Sequence, residues 1–364
     1  MKNSIQDGVI DTRIQNLREK LKQNGLCAAL VTQRENYIYL SGFNGTFAHL
    51  LISMEDLILV TDFRYIEQAE LQAPMYEIIQ CRGNLIDPLN NVIKEKNIKK
   101  LGFEDLHLTY GIFTEYREKL KPLELIPLGR IIEDQRIIKD AHEIDIIKKA
   151  AKISDNAFSH ILEYIKPGVK EIEIAAEIEY FMKKSGARGP SFATIVASGE
   201  RAALPHGVAS EKRLKAGEAV VLDYGAYYND YCSDITRTVF IGKPAKELER
   251  IYKTVLDAQL KSIEGAKEGI AGKDIDFIAR DYISQNGYGN NFGHGLGHGV
   301  GLEIHEEPRF SPTGSIITRN GMTVTVEPGI YVSGLGGVRI EDLIVIKGEK
   351  PLILTNSTKE MIII

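Results

Sequence analysis

Two stretches place acidic side chains where strands rarely tolerate them, and this constrains the fold more than any other feature. The first runs Glu218-Ala219-Val220-Val221-Leu222-Asp223-Tyr224-Gly225-Ala226, crosses Tyr227-Tyr228-Asn229-Asp230, and returns as Tyr231-Cys232-Ser233-Asp234-Ile235-Thr236-Arg237-Thr238-Val239. Two β-branched runs around a polar turn predict a hairpin. Asp is depleted in strands, yet Asp223 ends one run and Asp234 precedes the other. Folding about Tyr228-Asn229 sets the two opposite each other, with Cβ atoms about 4.5–5.5 Å apart, where like charges destabilise. A shared proton or a cation resolves the conflict; otherwise the register slips and both acids face solvent. The second stretch, Met322-Thr323-Val324-Thr325-Val326-Glu327-Pro328-Gly329-Ile330-Tyr331, returns through glycines as Gly337-Val338-Arg339-Ile340-Glu341-Asp342. Folded about Gly334 it pairs Glu327 with Glu341. Chance explains one such acid pair far better than two.

Between the hairpins lies Asn291-Phe292-Gly293-His294-Gly295-Leu296-Gly297-His298-Gly299-Val300-Gly301-Leu302-Glu303-Ile304-His305, which holds three of the eight histidines. Glycine allows close backbone approach, and imidazole binds metals and moves protons near neutral pH. The alternative is a flexible loop with incidental histidines. Phosphate binding is excluded because the GxxxxGK[ST] order is missing. Four carboxylates and an imidazole make an oxygen-rich ligand set without thiolate. Carboxylates bridging two divalent ions about 3.5–4 Å apart satisfy it. The donors suit Mn²⁺ first and tolerate Co²⁺, Zn²⁺ or Fe²⁺, whereas Ca²⁺ gains little from imidazole.

The 364 residues suggest two domains. A net charge of −5 offers no basic field, so nucleic acid is not an expected partner. The three cysteines show no CxxC spacing, which argues against disulfides and a thiolate zinc site and suits a reducing cytosol. The N-terminus, Met1 to Gly8, lacks the apolar core of a signal peptide. No apolar run approaches the roughly 18 residues of a membrane span. A cytoplasmic protein without membrane contact is therefore expected.

The first third alternates helix and strand patterns. Residues 12–23, 87–99 and 109–120 have helical spacing. Short apolar runs at 28–31, 37–40, 50–53, 57–60 and 101–103 predict strands. The charged stretch 129–140, following Pro122 and Pro127, marks a linker between domains at 1–128 and 141–364. Beyond it, 143–164 with 172–184, and 248–263 with 275–285, predict two helix pairs beside the strand-rich stretches. The fold class is mixed α/β (α+β), a helix-covered sheet followed by a domain repeating two helices beside a hairpin.

The chemical motifs resemble those of the "pita-bread" metallopeptidases, which include Xaa-Pro dipeptidase (prolidase), aminopeptidase P and methionine aminopeptidase. The resemblance rests on Asp223 in Leu-Asp-Tyr-Gly, Asp234 in Ser-Asp-Ile-Thr-Arg-Thr, His298 in His-Gly-Leu-Gly-His-Gly-Val-Gly, Glu327 in Val-Glu-Pro-Gly-Ile-Tyr and Glu341 in Val-Arg-Ile-Glu-Asp. It covers residues 140–364, and the five motifs occur in the family's order. The first third resembles the creatinase-like domain of the proline-specific members, with Thr61-Asp62-Phe63-Arg64-Tyr65 as a weaker motif.

This resemblance implies that Asp223 chelates one metal, that Asp234 and Glu341 bridge both, and that His298 and Glu327 complete the second. It implies a pseudo-twofold curved antiparallel sheet, a bridging hydroxide that attacks the scissile carbonyl, and Glu327 as general base. His206 in Ala-Leu-Pro-His-Gly matches an active-site histidine that binds the oxyanion or orients substrate, against a surface-loop reading. His305 matches a histidine contacting the substrate carbonyl, with residues 300–304 alternating toward it like a strand. His294 is either support or a proton relay, or else a structural loop residue. Arg309 matches an arginine placed near the dipeptide carboxylate, a role its planar fork suits, against a plain solvent-exposed arginine. Arg339 is expected to pair with one of the acids. The expected substrate is a small peptide with Pro at its second position, and the expected assembly a homodimer. Methionine aminopeptidase shares the five ligands but normally lacks the front domain. A non-catalytic module of the same fold should have lost ligands, and none is lost. Dipeptidase and aminopeptidase P remain open alternatives.

Overall fold

The computed structural model describes residues 2–121 and 123–364. Met1 and Pro122 lie outside the described residues, and with them part of the leader reading and one proline of the boundary reading. The chain divides into two compact units, residues 1–136 and 137–364. The proposed linker therefore spans the division. Within it, α6 (Glu133–Arg136) ends on buried Arg136, whose guanidinium donates to Asn36 Oδ1 at 2.7 Å.

In the first unit α1 (Lys2–Gln23) leads into β1 (Ala28–Val31). Then come α2 (Arg34–Ser41), β2 (Ala48–Ser53), β3 (Leu57–Asp62), α3 (Ile66–Gln72) and β4 (Glu77–Cys81). The unit continues with α4 (Ile86–Glu95), β5 (Lys100–Phe103), α5 (Tyr110–Lys119) and β6 (Glu124–Pro127). The six strands form one sheet in the order β4-β3-β2-β1-β5-β6. Leu30, Leu51, Val60 and Leu101 pack with Leu89, Val92, Ile93 and Tyr116 from α4 and α5. One strand expectation fails: residues 37–40 lie inside α2. That helix is buried at every residue from 36 to 41, so its apolar run shows no helical period and cannot be told from a strand by pattern.

The second unit opens with α7 (Ala141–Ile161) and α8 (Glu171–Lys184). Asp140 caps α7 in a reciprocal capping box with Glu143. Strands β7 (Gly189–Pro190), β8 (Ile195–Ser198), β9 (Ala219–Tyr224), β10 (Ala226–Tyr228), β11 (Tyr231–Cys232) and β12 (Ile235–Phe240) follow. Helices α9 (Lys246–Gly265) and α10 (Gly272–Gln285) precede β13 (Gly297–Gly299), β14 (Glu306–Phe310), β15 (Thr323–Val326), β16 (Gly329–Val332), β17 (Gly336–Arg339) and β18 (Asp342–Val345). The first helix pair buries Phe158, Ile161, Ile174 and Ile178 against Val196, Leu222 and Val239. The second buries Ile251, Val255, Ile275 and Ala279 with Val324, Val326, Val338 and Ile344. This is the plan of two helices beside a hairpin, used twice. No helix among the described residues is long and apolar enough to cross a membrane.

The first acid hairpin turns one residue later than expected. Asn229 and Asp230 both have positive φ, 46° and 67°, as a two-residue type I′ turn requires. Asp223 therefore pairs with Thr236 rather than Asp234. A turn displaced by one residue displaces the register by two, and side chains two apart share a face. The acids thus become diagonal neighbours on one face. Gly225 fits because a Cβ there would lie 1.7 Å from Ser233 O. The second hairpin folds about Gly334 as expected: Val326↔Asp342 and Gly329↔Arg339 obey one register, which sets Glu327 across from Glu341.

Arg237, on β12, ties this sheet to the other half. Its buried guanidinium donates to Asp342 Oδ1 at 2.7 Å, to Ser357 O at 2.8 Å, to Thr358 O at 3.0 Å and to Glu341 O. Removing one member of a buried ion pair typically costs about 3–5 kcal/mol. Arg237→Met should thus lower unfolding stability by about 3 kcal/mol in urea; a loss below about 1 kcal/mol would contradict this role.

Candidate metal centre and active site

The acids sit where strands change partners. Asp234 separates β11 from β12, Glu327 separates β15 from β16, and Glu341 separates β17 from β18. At the last two positions the backbone leaves its hairpin: Glu327 N donates to Leu296 O at 2.8 Å and Glu341 N to Thr236 O at 3.1 Å. The side chains are thereby aimed into one volume. One ligand atom from each of Asp223, Asp234 and Glu341 lies within 4.8 Å of the others. His298 Nε2 stands 3.6 Å from Asp234 Oδ2 and 3.3 Å from Glu327 Oε1. All five residues whose types matched metal ligands are brought together.

His298 belongs to β13, inserted between β14 and β15. Its flanking glycines are needed there: a Cβ on Gly297 would lie 2.0 Å from Thr325 O, and one on Gly299 would lie 2.2 Å from Glu307 O. His298 Nδ1 donates to Gly299 O at 3.1 Å, which leaves Nε2 with its lone pair toward the carboxylates. Burial and His305 push the imidazole pKa down to about 3, so it is neutral. Thr325 accepts from His298 N and donates to Glu327 Oε1, each at 3.0 Å.

Burial raises the pKa of all four acids. Asp234 is pushed well up by burial, then by Glu341, Asp223 and Glu327. Glu341 is pushed well up by burial, Glu327 and Asp223. Burial takes Glu327 up to about 7, and raises Asp223 against the opposing pull of Arg339. Among the described residues, Asp234 Oδ1 and Glu341 Oε1 are buried with no hydrogen-bond partner. Buried carboxylate oxygens left so are costly. Divalent cations are the partners that fit these orphaned oxygens, the bare Nε2 and the all-oxygen-and-imidazole donor set.

Arg339, also buried, braces the cluster. It grips Asp223 Oδ2 and donates through Nε to Thr236 Oγ1 at 3.1 Å; Thr236 in turn donates to Glu341 Oε2 at 2.7 Å. Its Nη1 reaches Tyr331 Oη at 2.9 Å and Pro205 O at 3.1 Å. Tyr331 Oη lies 2.9 Å from His294 Nε2, and His294 Nδ1 lies 2.7 Å from Gly295 O. Burial and Arg339 hold His294 down at about 4, so neutral His294 donates through Nδ1 and accepts from Tyr331. Thr236, Thr325 and Tyr331 were not singled out from sequence. Each lies two or four residues from an acid, the spacing that shares a strand face.

The remaining candidates border a cleft of about 330 Å³ lined by His206, His294, His305, Arg309, Phe192 and Ile304, among others. Clefts of this size suit small-molecule ligands. The His305 ring stands 4.4 Å from that of His298, with its pKa lowered by burial and Arg309. The strand expected before it is absent: residues 301–305 form a bend, and β14 begins at Glu306. Buried Lys139 holds Glu306 at 2.8 Å, and Glu306 Oε1 accepts from Glu303 N at 3.1 Å; the acid thus fills the inside of the bend. Arg309 pairs across the ladder from His298. On the other side Asp276 and Arg280 of α10 fix the glycine loop: Asp276 Oδ1 accepts from Leu296 N at 3.0 Å, and Arg280 donates to His294 O at 2.8 Å.

Because the metal-free fold holds its carboxylate protons more tightly than the unfolded chain, these protons stabilise that fold as pH falls, that of Glu327 as pH falls through about 7. A divalent ion must displace them. Mn²⁺ should therefore raise Tm more at pH 8 than at pH 6, and calorimetry in buffers of different ionisation enthalpy should show protons released on binding at pH 6.5. A pH-independent rise in Tm without proton release would refute the protonated cluster.

Residues 145–348 match metallopeptidase family M24, and residues 13–138 match the creatinase/prolidase N-terminal domain. A Xaa-Pro dipeptidase of Pyrococcus horikoshii is 42% identical over 360 residues, covering 97% of this chain and 99% of its own. The solved Xaa-Pro dipeptidase from Bacillus anthracis has a TM-score of 0.95 at 48% identity, covering 98% of this chain and 100% of that one. X-Pro aminopeptidase from Thermotoga maritima MSB8 has a TM-score of 0.90 at 38% identity, covering 96% and 99%. With both halves matched over nearly its whole length, this chain belongs to metallopeptidase family M24, its catalytic unit preceded by a creatinase/prolidase-type domain.

Proposed function

We propose that this chain is a Xaa-Pro dipeptidase, a metallo-exopeptidase that hydrolyses the bond between a first residue and proline. The observation that carries the reading is a five-residue ligand cluster with orphaned buried carboxylate oxygens, opening into a small cleft in a chain like Xaa-Pro dipeptidases from end to end. Asp223, Asp234, His298, Glu327 and Glu341 would hold two divalent ions, Mn²⁺ in preference to Co²⁺, Zn²⁺ or Fe²⁺. When bound, such ions polarise the scissile carbonyl and lower the pKa of a water.

The protein's own groups do the rest. Glu327, raised toward neutrality by burial, takes the proton released by the attacking water and passes it to the leaving proline nitrogen. His206 and His305 border the cleft from separate chain segments and donate to the oxygen that gains charge. Arg309 offers its fork to the dipeptide carboxylate, and His294 is kept neutral as support for Tyr331 and Arg339. The protein is taken to work in the cytoplasm as a homodimer, acting on small peptides with proline second, and not on nucleic acid or membranes.

With Mn²⁺ bound, Ala-Pro should be cleaved at least about tenfold faster than Ala-Pro-Gly-Gly, since only the dipeptide carries its free carboxylate on the second residue. Preference for the tetrapeptide would replace this reading with aminopeptidase P, the activity named for the Thermotoga relative. Better cleavage of Met-Ala would remove proline specificity altogether. Arg309→Met should raise KM for Ala-Pro about tenfold, equivalent to about 1.4 kcal/mol of lost binding; an unchanged KM would exclude a carboxylate contact. Glu327→Gln should lower kcat by about 10²-fold or more.

A further inference from the structure

His206 is exposed at the cleft edge, and its imidazole makes no hydrogen bond among the described residues. Its place is therefore set by the loop that carries it. That loop, residues 199–210, leaves β8, makes a short 3₁₀ turn (Gly199–Ala203) and meets β8 again through an isolated bridge from Val208 to Ile195. Its two ends are held by a carboxylate from another element. Glu171, first residue of α8 and fully buried, accepts from Ser198 N and Ser198 Oγ, both at 2.8 Å, through Oε1. Through Oε2 it accepts from Arg201 Nη1, from Ser210 N at 3.2 Å and from Ser210 Oγ at 2.6 Å. Arg201 then reaches Val208 O at 2.8 Å. One side chain thus closes both ends of the loop and, through Arg201, braces Val208. From the inner side, Arg339 holds Pro205 O, the residue before His206.

We propose that Glu171 is a positioning residue for His206, acting through the loop it closes. The inference rests on the role given to His206 above. A carboxylate that only capped α8 would accept the free amides of that helix. Glu171 instead accepts from segments on either side of His206. A misplacement of about 1 Å in such a group can cost up to about 10²-fold in rate.

Glu171→Gln, in the full chain loaded with Mn²⁺, should lower kcat for Ala-Pro about tenfold with KM changed less than about twofold. Bound Mn²⁺ should be unchanged. Amide exchange at Ser198 and Ser210 should quicken, a readout independent of turnover. In a His206→Ala background the same substitution should cost less than about twofold. Full activity in Glu171→Gln, an equal loss with and without His206, or loss of Mn²⁺ would each overturn the inference. Loss in His206→Ala with none in Glu171→Gln overturns it alone, whereas a fully active His206→Ala overturns the role of His206 and this inference with it. Ser210→Ala removes one donor but leaves the charge paired with Arg201. It should give the same pattern at smaller size, and provides the same test if Glu171→Gln does not fold.

Discussion

Mutual repulsion among four crowded carboxylates, three of them buried and Glu327 partly so, is the constraint on which this structure depends. At about 4 Å and an effective dielectric near 20, each close pair of charges repels by on the order of 4 kcal/mol. Arg339 is in direct contact with Asp223, and it cannot neutralise Asp234, Glu327 and Glu341 as well. Protons or divalent cations must supply the remaining positive charge. Much of the second unit serves to hold the acids together despite this. Arg339 and Thr236 link Asp223 to Glu341, and Arg237 fastens the backbone of Glu341 to the opposite sheet.

A recurring device surrounds this centre. Loops bearing histidines that face the cleft are held by acids outside it: Glu171 closes the loop of His206, Asp276 accepts from the loop of His294, and Glu306 fills the bend before His305. All three of these acids are also paired with a cation, Arg201, Arg280 and Lys139 respectively. The arrangement separates work by position. Of the acids that face the cleft, Asp234 and Glu341 each keep an orphaned oxygen available for metal, while those behind it have their oxygens filled by donors.

The sequence carried the chemistry further than the packing. Alternation around Asp223, Asp234, Glu327 and Glu341 was legible because strand periodicity is short and acids in apolar runs stand out. The long helices α7 to α10 were legible by a different period, apolar residues recurring every three or four positions along one buried face. Helix α2 was not, because burial on all sides erases the period that distinguishes helix from strand. The short outer strands β4 and β6 also escaped notice, since half-exposed edge segments such as Glu77–Cys81 need little apolar sequence. Glu171 gave no local signal. Its partners Ser198 and Ser210 are 27 and 39 residues away, and only tertiary structure brings them to one carboxylate.

The Asn229-Asp230 turn also bears on how such a site can vary. Pairing in an antiparallel ladder preserves facing only when the two strands are offset by whole pleats. Adding or deleting two residues at this turn changes the hairpin by one pair and leaves Asp234 on the side of Asp223. While the connection stays a two-residue turn, a register shift of one residue would rotate Asp234 out of the centre and bring Ser233 or Ile235 in. Length change here therefore preserves the centre only when the residues are added in pairs or when a longer loop with a bulge absorbs the odd one.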